Sequence, residues 1–345
     1  MYKKSIFLAA MSILGLLVFS MVLPSCKNNT TTTILGNWVT QSEFDGVARS
    51  EAVSFVIGDT AYIGTGFDGT NRLNDMWSFS PNAGATGYWF QEADFPGVPR
   101  SSAVAFALNG MGYVGTGYDG VNNLGDFWKF DPTMNTWTRV ADFGGYARYD
   151  AVAFSVDGKG YVSTGYDGNY LKDFWEYNDT TNTWSQQVGM GGFKRSGAVA
   201  FVYKNQAYIV TGNNNGQTTT VNDLWRFDPT ANPTWTALRD ITNVSTDTYD
   251  DLYTDITRTN AVAFVMGAYA YITTGNNGSV MTSTWQYDIQ HDQWYSKTAY
   301  EGLAREGAVG FTVDDTGYVG TGASGTQYFD DLRLFQPNAA YNSAD

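Results

Sequence analysis

One phrase, Arg-x-x-Ala-Val-x-Phe, opens six times along this chain, at Arg49, Arg100, Arg148, Arg195, Arg258 and Arg305. The spacing is 47 to 51 residues, except between Arg195 and Arg258, where it stretches to 63. A second phrase, Tyr-x-x-Thr-Gly, follows every time, at Tyr62, Tyr113, Tyr161, Tyr208, Tyr271 and Tyr318. A third carries Trp77, Trp128, Trp175, Trp225 and Trp285, and a fourth carries Trp89, Trp137, Trp184, Trp235 and Trp294. A unit of this size cannot bury its own apolar surface, so six copies must pack on one another.

Each phrase reads as a strand. Ala-Val-x-Phe is apolar on both faces, which only a sheet covered on both sides requires. Thr-Gly followed by Asp-Gly or Asn-Gly ends the next strand in a turn that tolerates positive φ, so the third strand returns antiparallel. With 38 glycines, 23 tyrosines and only 16% charged residues, the composition suits short strands and tight turns. The expectation is an all-β fold of four-stranded antiparallel meanders. The last unit stops at "DDLRLFQPN" without a fourth strand, and "ILGNWVTQSEFDG" before Arg49 is a fourth strand without its first three. Residues 34–47 are therefore expected to pair with 305–337 and close a ring of six. Arg333 stands there in place of the third-strand tryptophan, which predicts different packing and a weaker seam.

These phrases resemble the kelch repeat: a period near fifty, arginine at the inner strand, a glycine-ended second strand, aspartate and an aromatic in the third, tryptophan in the fourth. The resemblance implies a six-bladed kelch-type β-propeller over residues 34–345, its last blade closed by the N-terminal strand. Kelch units usually carry Gly-Gly where all six copies here have Thr-Gly, which marks a divergent subgroup.

Ahead of the repeats, Lys3 and Lys4 precede an apolar run from Ile6 to Leu23 that ends in "LPSC". This resembles a bacterial lipoprotein signal over residues 1–25, with Cys26 lipidated and 26–33 a polar tether. The membrane is then a partner through the anchor alone, and Lys27 in place of an acidic signal points to the outer membrane. The chain has no second cysteine, so no internal disulfide is available. Formal charge is −14, or −16 once Lys3 and Lys4 leave with the leader, and no basic stripe exists to bind a phosphate backbone. Nucleic acid is excluded, and a highly charged monomer is expected.

A phrase repeated six times is a building unit and not a catalytic site. Asp68, Asp119 and Asp167 beside the turn glycines, and Asp75, Asp126, Asp173, Asp223 and Asp331 before the third strand, are expected to cap turns or pair with the repeat arginines. Kelch propellers include the central domain of galactose oxidase, whose copper site needs two histidines, two tyrosines and a cysteine bonded to tyrosine. This chain has one histidine, His291, read as an exposed turn residue, so that chemistry and other histidine-based or zinc sites are excluded. No metal and no cofactor is expected.

What varies inside a fixed repeat is where an individual function can be written. Two residues after each arginine, at the expected mouth of the central channel, stand Glu51, Ser102, Asp150, Gly197, Asn260 and Gly307. Glu51, Ser102, Asp150 and Asn260, flanked by Arg49, Arg100, Arg148 and Arg258, form the candidate ligand site, although pairing with carboxylates is the arginines' first expected use. Residues 239–257, with five aspartates, are expected to overhang the same face as a lid, a partner site or a disordered loop. Three functions are compatible: a module that binds a glycan or a protein, with no catalysis; a sialic-acid-type mutarotase or epimerase using Glu51, Asp150, Arg49 and Arg148; and a structural part of an envelope complex.

Overall fold

Ala-Val-x-Phe forms the inner strand of all six blades: Val53–Ile57, Val104–Leu108, Val152–Val156, Val199–Tyr203, Val262–Met266 and Val309–Val313. The computed structural model describes residues 34–216 and 221–345, all within one unit, Ile34–Asp345. These residues build six four-stranded antiparallel sheets and one short 3-10 turn, Thr248–Asp250. The inner strands contact one another in sequence around the channel, and the last contacts the first. The molecule is a six-bladed propeller.

The recurring Phe and Tyr have one cause. The phenylalanine of the inner strand lies opposite the tyrosine of the second, as in Phe55↔Tyr62, and their rings stack, with centroids 5.1 Å apart and planes 10° from parallel. The same pair stacks in every other blade, at 4.9 to 5.5 Å. Packing between blades then demands small residues: a Cβ on Gly112 would lie 2.3 Å from the Phe55 ring of the preceding blade.

The closing blade forms as expected. Asn37–Thr40 pairs with Leu332–Gln336 in the register Trp38↔Phe335, and residues 305–337 supply its other three strands. Trp38 is fully buried, stacks on Phe335 at 4.4 Å and meets Tyr300 edge-on at 5.0 Å. It fills the fourth-strand tryptophan position from the other end of the chain.

The repeat arginines are the internal braces. All six are at most 1% exposed. In the first blade Arg49 donates through Nε to the Val47 carbonyl, through Nη1 to the Thr65 carbonyl, and through Nη1 and Nη2 to the two carboxylate oxygens of Asp75, both at 2.6 Å. Asp75 accepts a further bond from Trp77 Nε1, which explains the Asp-x-Trp spacing. Burial alone would raise the Asp75 carboxyl, but the Arg49 guanidinium outweighs it and holds the group below its ordinary value. Arg100–Asp126, Arg148–Asp173, Arg195–Asp223 and Arg305–Asp331 repeat the pair. The fifth blade has Ser283 where the others have aspartate, and the inserted segment compensates. Asp255 takes the Trp285 indole at 2.7 Å and approaches Arg258 to 4.0 Å.

Candidate functional site

At the mouth the six variable residues share one backbone state. Glu51, Ser102, Asp150, Gly197, Asn260 and Gly307 all have φ between 51° and 62°. That conformation turns each N–H toward the carbonyl of its neighbour in the preceding blade. Ser102 donates to Glu51, Asp150 to Ser102, Gly197 to Asp150, Asn260 to Gly197, Gly307 to Asn260 and Glu51 to Gly307, at 2.7 to 3.1 Å. The result is a closed ring of six inter-blade hydrogen bonds around the channel. A second ring lies outside it: the glycine of each Thr-Gly donates to the arginine carbonyl of the next blade, from Gly66 to Arg100 and finally Gly322 to Arg49.

Because the inner ring consumes its own N–H and C=O groups, only side chains are left to meet a ligand. They border a cavity of ≈ 110 Å³, with Ala52, Ala103, Ala261 and Ala308 behind them. Ser102 Oγ donates to Glu51 Oε2 at 3.0 Å, and Asn260 Nδ2 reaches Glu306 at 3.3 Å. Asp150 is half-buried and borders this cavity. Lost hydration, then the charge of Glu51, push its pKa up to about 7 against the opposing hydrogen bond of Ser102, and Glu306 adds a smaller push. This raised carboxyl borders a small cavity beside a second carboxylate, Glu51.

The four arginines expected to flank this site do not line it. Arg49, Arg100, Arg148 and Arg258 are enclosed within the blades, with their donors committed to carbonyls and to Asp75, Asp126, Asp173 or Ser283. Desolvation explains the placement: a guanidinium buried this deeply persists only when paired. Arg49 and Arg148 therefore do not stand beside Glu51 and Asp150 as partners in acid–base chemistry.

Around the ring, one half of the face is aromatic. Tyr328 meets Phe67 at 5.9 Å, and Tyr118, Tyr149, Tyr166 and Tyr170 follow at 5.5, 5.6 and 5.2 Å between successive centroids. The guanidinium of Arg72 fills the gap between Phe67 and Tyr118, 5.1 and 4.8 Å from their rings. Burial and then the charge of Asp150 raise the Tyr149 hydroxyl, while burial, Glu51 and Asp68 raise that of Tyr328, so the arc senses the mouth at its Tyr328 end and at its middle. The positions equivalent to Tyr118 and Tyr166 in blades four and five are Asn213 and Asn276, and there the half is polar. Sequence reading missed this arc. Its signal was present: the residue that follows Thr-Gly is Phe67, Tyr118 and Tyr166 in three consecutive copies.

The insert is ordered and built into the blades, which corrects, of the three readings of 239–257, that of a disordered loop. Asp250 is buried and accepts bonds from the Val244 and Ser245 amides and the Ser245 hydroxyl. Tyr253 is buried and accepts the Trp294 amide at 2.8 Å. Asp68, Asp119 and Asp167 cap their turns by accepting backbone N–H groups, and His291 is 71% exposed against Asp288. Cys26 and the segments 1–25 and 26–33 lie outside the described residues.

Kelch motifs match residues 99–144 and 147–191, two of the six units described above. The chain carries kelch motifs within a six-bladed propeller. A solved structure titled "Structure of YjhT" superposes with a TM-score of 0.70 over 85% of this chain and 96% of that one, at 18% identity, which is a likeness of fold. N-acetylneuraminate epimerase of Pasteurella multocida (strain Pm70) is 35% identical over 86 residues, 24% of this propeller's chain and 21% of that protein. The match spans about a fifth of that relative's length, the size of two repeat units.

Proposed function

We propose that this kelch propeller is a sugar-binding module whose ligand lies across the mouth face, and that a lipid on Cys26 holds it to the cell envelope. The observation that carries the reading is the division of the face. Tyr118, Tyr149 and Tyr166 present ring surface to the apolar side of a pyranose, while Glu51, Ser102, Asp150 and Asn260 present acceptors and donors for its hydroxyls. A glycan array probed with the full chain tests it. Tyr149→Ala and Tyr166→Ala should each lower affinity for array hits about tenfold, the loss of roughly 1.4 kcal/mol of stacking. Hits that survive both changes at parental affinity place the ligand elsewhere. For the anchor, Cys26→Ser should move the protein out of the membrane fraction, and unchanged fractionation defeats that part of the reading.

A second reading has its own support in Asp150. Opening a sugar ring requires a proton to leave the anomeric hydroxyl and another to reach the ring oxygen. A carboxyl poised near pH 7 can do either, and Ser102 links it toward Glu51. The local likeness to an epimerase agrees with this chemistry. Exchange spectroscopy on candidate sugars decides: Asp150→Asn and Glu51→Gln abolish catalysed anomer exchange if the chain is a mutarotase, and only weaken binding if it is not.

A further inference from the structure

Arg72 has no counterpart in the repeat. Among the described residues, the bridging residue at its position is Asn123, Tyr170, Val280 and Tyr328 in other blades. Unlike the six brace arginines, it takes part in no ion pair among the described residues, and its Nε is enclosed without a hydrogen-bond partner. Asp119 is close enough to feel its charge, but that carboxylate is committed to the amides of Val121 and Asn122 at 2.7 and 2.6 Å. Phe67 and Tyr118 hold the guanidinium between their rings, and Gly120 makes room for it: a Cβ there would lie 2.6 Å from Nη1.

A guanidinium packed against two rings keeps its edge for polar partners, and that edge matches the paired oxygens of a carboxylate or sulfate. Its Nη1 and Nη2, which make no hydrogen bond among the described residues on this half-buried side chain, are the donors left to meet such an acceptor. The mouth itself holds Glu51, Asp150 and Glu306, which repel an anion. An acidic ligand is therefore accepted on this face only if its charge is carried by the aromatic arc and away from the ring.

We propose that Arg72 is an anion-binding subsite and that the sugar chain lying along the arc bears an acidic substituent, a carboxylate or a sulfate ester. The proposal rests on the sugar-binding reading and narrows it to acidic glycans. Calorimetry with the full chain tests it using matched probes: trigalacturonate against its methyl ester, and N-acetylgalactosamine 6-sulfate against N-acetylgalactosamine. The parent should bind at least one acidic member about tenfold more tightly than its neutral twin, with a preference that shrinks as salt rises. Arg72→Gln should erase that preference by lowering acidic affinity far more than neutral affinity, and Arg72→Lys should restore part of it. The carboxylate and sulfate arms tell which anion is read. If the parent shows no acidic preference, or Arg72→Gln weakens both members of a pair equally, Arg72 is only a packing residue and the proposal falls while sugar binding stands. If the parent binds no sugar in either form, both fall together.

Discussion

Asp150 ties the mouth to pH. Its carboxyl moves from an ordinary 3.8 in the unfolded chain to about 7 in the fold, chiefly through lost hydration and then through Glu51. The sign follows directly. Between those two values the folded chain keeps a proton that the unfolded chain has released, so this group's contribution to stability falls as pH rises from about 4 to 7. A shift of roughly three units at about 1.36 kcal/mol each amounts to about 4 kcal/mol, and water reaching the mouth brings the working figure to ~2–4 kcal/mol. Asp150→Asn cannot ionise. Relative to the parent it should be nearly neutral at pH 4 and more stable by that amount at pH 8, measured by urea unfolding of both proteins at both pH values. Glu51→Gln removes the second cause, so in that background the gain from Asp150→Asn should shrink. A stability difference between Asp150→Asn and the parent that is the same at pH 4 and pH 8 would refute the reasoning.

The braces and the seam give further tests. Asp126→Asn leaves the Arg100 guanidinium buried without its carboxylate and should cost about 3–5 kcal/mol in denaturant unfolding. Asp255→Asn should cost clearly less, because Arg258 also donates to the Thr274 and Ser283 carbonyls and to the Ser283 hydroxyl. Trp38→Ala empties a fully buried site and should cost about 3–5 kcal/mol. Removing residues 34–47 should unfold the domain or drive it to dimerise, and a truncated chain that melts as a monomer at the parental temperature would contradict the closing strand.

The blade count, the strand order and the closure were legible because each phrase repeats with its physics intact, and Trp38 with Phe335 completes a pattern visible in five other copies. The braces were half legible. Charge balance predicted that each arginine needs a carboxylate, yet the same arginines were also placed in the ligand site, because a sequence does not say whether a side chain points along the channel or into the blade. The substitute for the missing aspartate at Ser283 was harder still, since Asp255 reaches it from an insert that matches no other unit. Arg72 and the aromatic arc escaped for the opposite reason. Attention to what repeats passes over the position where one copy departs from the rest.

The ring of left-handed residues at the mouth separates architecture from content. Its backbone bonds hold whichever side chain is present, so glutamate, serine, aspartate, glycine, asparagine and glycine occupy one geometry around the circle. The constraint is tolerance of positive φ, which glycine, asparagine and aspartate meet at least cost. Such a rim behaves as a dial with six settings, each changed by a single codon and none requiring a new fold. Two settings are blank. At Gly197 an added Cβ would meet Asn260 Oδ1 at 2.6 Å, a side-chain tip that can swing aside, whereas at Gly307 it would press on the Glu51 amide at 3.1 Å. Asparagine at 197 is therefore the most accessible route by which a descendant of this chain acquires a fifth arm over the channel and, with it, a different ligand.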